Sequence, residues 1–145
     1  MNMRKKIFAA SMSLLLLAGS FTTAYAYVSK SGLQYQNVTH MNIPSYGKTS
    51  YNTYYGSKKE KSAMLATFKA TEIQALLGNF AMLIDQNKNA KSIEVGLKKG
   101  QAKATSEIGC KVGNVYFSAV MSSGFEPSNT CDVKMGFSAD NLLTN

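Results

Sequence analysis

Past residue 78, apolar and polar side chains alternate in short runs. Val115, Phe117, Ala119 and Met121 share one face of an extended segment, with Tyr116, Ser118 and Val120 on the other. Gly113-Asn114 ahead of them supplies a turn. Phe80, Met82 and Ile84 alternate before Asp85-Gln86-Asn87-Lys88-Asn89, whose Asp and Asn side chains suit a tight turn. Ile93, Val95 and Leu97 alternate up to Lys98-Lys99-Gly100, and Val133, Met135 and Phe137 alternate near the end. Several short period-2 runs separated by turn residues predict an all-β chain, a small antiparallel β-sandwich.

Two segments carry less regular signals. Tyr46 to Gly56 holds four tyrosines in eleven residues, which suits a strand with turns at Gly47 and Gly56. Ser62 to Leu77 is built largely from Ala, Leu, Met, Lys, Glu and Gln, followed by Gly78-Asn79, and its composition allows a short helix over 62–77. Met64, Ala66, Phe68 and Ala70 also alternate, and that period favours a strand through Lys69.

The first 26 residues have a different pattern. Arg4, Lys5 and Lys6 precede an apolar run from Ile7 to Ala18, and Ala24-Tyr25-Ala26 ends the segment. This is the layout of a secretory signal peptide cleaved after Ala26. The apolar run of about a dozen residues is too short to span a bilayer, which needs ~20. The expected mature chain is a single domain, 27–145, secreted to the cell exterior.

Export changes the charge picture. The whole chain carries 16 basic and eight acidic residues. Three bases lie in the leader, so the mature part has 13 lysines, no arginine and a net charge of 13 − 8 = +5. Without a guanidinium fork, sequence-specific nucleic-acid readout is not expected. Dispersed lysines suit loose attraction to anionic cell-wall polymers or a membrane surface.

Cys110 and Cys131 are the only cysteines. In an oxidising compartment they are expected to pair, closing a 21-residue loop for about 3 kcal/mol. A simple hairpin of 115–121 with 133–137 would forbid this, because Cys110 would then lie on the order of 30 Å along the strand. A disulfide needs Cα atoms within about 7 Å. The long connection through Glu126-Pro127 allows the chain to cross to another sheet, and the bridge is expected there.

Candidate chemistry is sparse. His40, the single histidine, has no motif beside it that supplies a nucleophile or carboxylate, so it reads as a partly exposed strand residue. Asp85-x-Asn87-x-Asn89 resembles the opening of a calcium loop, but Ala90 and Gly96 stand where that loop needs Gly and a bidentate acid. Glu60, Glu72, Glu94 and Glu107 lie in lysine-containing stretches and read as solvated ion pairs. No catalytic residue, metal site or cofactor is expected. The most suggestive surface is Tyr46, Tyr51, Tyr54 and Tyr55 running into Lys58, Lys59 and Lys61, since Tyr, Ser, Gly and Asn make adaptable recognition surfaces. The same tyrosines also suit a strand's core face.

Four short motifs carry a resemblance. They are Ile43-Pro44-Ser45-Tyr46-Gly47, Asp85-Gln86-Asn87, Gly113-Asn114-Val115-Tyr116-Phe117, and a closing Val133 to Asp140 that follows V-x-G-x-W-S-x-D with one extra residue before the glycine. In these the chain resembles a group of uncharacterised small secreted β-sandwich proteins of Gram-positive bacteria. Phe137 replaces the usual tryptophan, and two cysteines are not typical of the group. The resemblance implies a sandwich fold and carries no activity. The expected function is a secreted, cationic, non-enzymatic binding or interaction protein. The alternative is a secreted antibacterial protein acting on other cells' envelopes, and the least favoured is a small hydrolase.

Overall fold

The computed structural model describes residues 34–127 and 130–140, all within one compact unit. The proposed leader, 1–26, and the mature terminus at Tyr27 lie outside the described residues. Eight strands follow in order: β1 (Tyr35–Pro44), β2 (Thr49–Lys58), β3 (Leu65–Ile73), β4 (Asn79–Ile84), β5 (Val95–Gly96), β6 (Ala102–Ser106), β7 (Val115–Ser122) and β8 (Thr130–Ser138). They form two antiparallel four-stranded sheets, β1-β8-β3-β6 and β2-β7-β4-β5. The fold is the expected small β-sandwich.

The chain changes sheet at every connection except β4 to β5. Almost every strand therefore finds its partners far away in sequence. No helix occurs among the described residues, and 65–73 of the ambivalent segment is strand β3. Helix propensity loses there because Ala66, Phe68 and Ala70 fill the core on one face, which only the strand period permits. Phe68 lies opposite Phe137 of β8, their rings stacked at 6.1 Å.

The inner face of the first sheet is Val38, His40 and Ile43 of β1 with Val133, Met135 and Phe137 of β8. The facing sheet contributes Ala81 and Leu83 of β4 with Tyr116 and Val120 of β7. The bulkier runs, Phe80-Met82-Ile84 and Val115-Phe117-Ala119-Met121, therefore form the outer face of the second sheet. Ile84, Phe117 and Ala119 are nevertheless buried, Phe117 because β2 folds over it.

That cover corrects one expected turn. Gly47 does sit in the β1–β2 turn, with φ 74°, but Gly56 lies within β2. The β2–β7 register slips between Asn52 and Ser57, so six residues of β2 span three of β7. The bulged chain comes down on β7 at Gly56, where a Cβ would stand 2.4 Å from Val115 Cγ1 and 2.9 Å from the Phe117 ring. Glycine here serves close approach.

The cysteines also depart from expectation. Both are free and buried. The β7–β8 connection does cross between the sheets, so the hairpin is absent, but the bridge is absent too. Cys110 precedes β7, whereas Cys131 follows it and opens β8, with the length of β7 between them. Glu107, beside Cys110, reaches Lys59, and Lys59 reaches Asp140 beyond the far end of β8. Cys131 is nine residues from Asp140, about 30 Å of strand, against the roughly 7 Å a disulfide allows. Burial, and next the Glu107 carboxylate, push the Cys110 thiol up to about 11.

Candidate functional site

The proposed tyrosine–lysine surface divides when folded. Tyr54 and Tyr55 occupy the β2 bulge, with rings edge-to-face at 4.8 Å. Their backbone N–H groups both donate to Asn52 Oδ1 at 3.1 Å, so an Asx turn fixes the bulge. Tyr51 is also exposed, and the Lys88 ammonium stands 5.2 Å from its ring centre. Tyr46 sits in the β1–β2 turn at φ 58°, with 69% of its surface exposed. The four rings are thus solvent-facing rather than core residues.

Tyr55 also borders an open groove of about 540 Å³ on the outer face of the first sheet. Asn37 and Thr39 of β1, Thr71 of β3 and Lys134 of β8 line it. Lys134 pairs there with Glu72 at 3.0 Å, an exposed ion pair of the kind expected for Glu72.

The lysines behave differently from the tyrosines. Lys58 is half-buried and Lys61 exposed, but Lys59 is only 1% exposed. The inclusion of Lys59 in a binding surface is therefore wrong. The backbone ladder continues past Lys58, with Lys59 N–H donating to Asn114 O at 2.9 Å and Lys59 O accepting from Gly113 N–H at 2.8 Å. That extension points the Lys59 side chain into the sandwich.

Inside, Lys59 Nζ donates to Glu107 Oε1 at 2.9 Å, Ala63 O at 2.7 Å, Ala139 O at 3.0 Å and Asp140 Oδ1 at 3.3 Å. Asp140 accepts further bonds from Gln34 Nε2, Glu60 N–H and Lys61 N–H. Burial works to raise the Asp140 carboxyl, but those donors and Lys59 outweigh it and hold the group below the usual range. Burial raises Glu107, with Lys59 countering only in part. Glu107 is thus no solvated ion pair. Sequence reasoning missed this cluster because Lys58-Lys59-Glu60-Lys61 has the composition of a solvated turn.

His40 is also buried, 2% exposed rather than partly exposed as expected. Its Nε2 lies 2.9 Å from Ser118 Oγ of β7 and its Nδ1 3.3 Å from Ser50 Oγ of β2. It therefore links the two sheets. Burial depresses its pKa to about 4, so the ring is neutral at pH 7. A neutral imidazole donates from one nitrogen and accepts at the other, and the two hydroxyls can fill both complementary roles.

The Asp85 carboxylate is occupied by its own turn. It accepts from the N–H groups of Asn87 and Asn89 and from Asn89 Nδ2, at 2.9, 3.0 and 2.9 Å. Those bonds hold its pKa low, against a desolvation effect that would raise it.

No protein-family model matches this chain, and no curated protein matches it significantly.

Proposed function

We propose that the protein is a secreted, cationic, non-enzymatic binding protein at the bacterial cell exterior, taking anionic cell-wall polymers as its partner. The observation that carries this reading is the Tyr54–Tyr55 pair, held exposed on a capped bulge beside the groove bordered by Tyr55. Exposed aromatic rings fixed by backbone geometry contribute contact area at small entropic cost on binding. The net charge of +5 in the expected mature chain adds long-range attraction. The burial of His40 between the two sheets supports the non-enzymatic part, since a general base must reach its substrate.

The test is retention of purified protein on Gram-positive cell walls, with walls stripped of anionic polymer and anionic vesicles run alongside. The expected result is salt-sensitive retention on intact walls that is lost on stripped walls and in a Tyr54→Ser/Tyr55→Ser variant. Equal retention by that variant, or no retention at low salt, would overturn the reading. Binding to vesicles alone would reassign the partner to the membrane surface.

A further inference from the structure

We propose that Lys59 and Asp140 become joined by an intramolecular isopeptide bond, formed after folding with Glu107 as the proton carrier. An amine, a carboxyl and a second carboxylate meet in an interior where the side chains are at most 1% exposed. Lys59 Nζ is 2.9 Å from Glu107 and 3.3 Å from Asp140 Oδ1, which sets nucleophile and acid side by side. Such positioning can raise effective concentrations by many orders of magnitude. Exclusion of water also disfavours the reverse hydrolysis.

Each residue has a defined part in the step. Glu107 takes a proton from the Lys59 ammonium and passes it to Asp140 Oδ1, and the freed lone pair attacks Cγ of the now neutral acid. Asp140 Oδ2 already accepts hydrogen bonds from Gln34 Nε2 at 2.9 Å and Glu60 N–H at 3.0 Å. These donors stabilise negative charge on that oxygen in the tetrahedral intermediate. Oδ1, the oxygen nearest the amine, leaves. One C–N bond forms and one C–O bond breaks. Of the three ammonium protons, one stays on the amide nitrogen and two depart with Oδ1 as water, each carried in turn by Glu107. Glu107 ends as it began, and nothing is oxidised or reduced. Burial raises the Glu107 carboxyl, which makes it the stronger proton acceptor of the two acids.

The product replaces a buried ion pair by a neutral amide. Lys59 directly follows β2 and Asp140 closely follows β8, so the bond would tie the two sheets together. It would also anchor β8, which lies between β1 and β3.

Intact mass under denaturing conditions tests this on the wild-type protein. The expected mass is one water below that of the chain with its observed N-terminus. Proteolysis should give a branched peptide linking Lys59 to Asp140, with no tryptic cleavage after Lys59. Full mass, or a missing water located elsewhere, would overturn the bond whatever the variants do. Glu107→Gln is expected to retain the full mass, and a deficit persisting in it would overturn the role of Glu107.

Discussion

The His40 and Lys59 clusters inside this sandwich satisfy burial in opposite ways. His40 gives up its charge: its pKa falls to about 4 and two serine hydroxyls complete its hydrogen bonds. Lys59 stands between two acids and two backbone carbonyls, which compensate an ammonium. The imidazole ionises near neutrality, so modest desolvation suffices to neutralise it. A lysine amine ionises far higher and needs partners in place. Both groups bridge the sheets, so each fixes how one sheet lies on the other.

The largest expected effect comes from breaking the charged cluster. Lys59→Ala leaves Glu107 and Asp140 buried without a cation and removes the proposed Lys59–Asp140 bond, and should cost at least about 3–5 kcal/mol, measured by urea unfolding. Acid then separates the two clusters. Because His40 binds its proton less readily when folded, the unfolded chain gains protons first as pH falls. Its contribution is complete above about pH 6.5 and is lost progressively toward about pH 4. The drop from 6.5 to about 4 corresponds to about 3 kcal/mol, seen as a falling unfolding midpoint. His40→Gln should flatten that limb between pH 6.5 and 4, and an unchanged slope would place the titration elsewhere.

Removing a single partner of the neutral cluster should do less. Ser118→Ala leaves His40 Nε2 without its 2.9 Å contact and should cost about 1–3 kcal/mol. The smallest changes are expected at the surface and at the thiols. Tyr54→Ser/Tyr55→Ser should stay within about 0.5 kcal/mol per site of the parent while losing wall retention. Added reductant should leave the unfolding curve unmoved, since Cys110 and Cys131 are unpaired. A marked loss of stability in reductant would restore the bridge.

The alternation at Val115 to Met121 and Val133 to Phe137 made the strands and the sandwich legible. It could not say which face is inner. On β7 the serine-bearing face, with Ser118, turns inward, because its hydroxyl meets His40 across the core. Period-2 patterning reports extended backbone, whereas burial depends on which sheet lies opposite. The tyrosine exposure was open to either reading, and the Asn52-capped bulge decided it. Lys59 was illegible for a related reason. Its neighbours Lys58, Glu60 and Lys61 give it a solvated context, and only the ladder to Gly113 and Asn114 turns it inward. Its partners, Glu107 and Asp140, are 48 and 81 residues away, beyond any local pattern. The cysteine pairing failed because export chemistry says that a bond is allowed, not that two strand ends meet.

The inward position of Lys59 is the point on which both the stability account and the cross-link depend. Lysine reactivity measures it directly. The folded protein is treated with an amine-acylating ester, and modified peptides are quantified by mass spectrometry. Lys61, exposed two residues away, should acylate readily while Lys59 stays unmodified. Acylation of Lys59 at the rate of Lys61 would contradict the account, because it would place the amine in solvent and leave Glu107 and Asp140 without their buried partner.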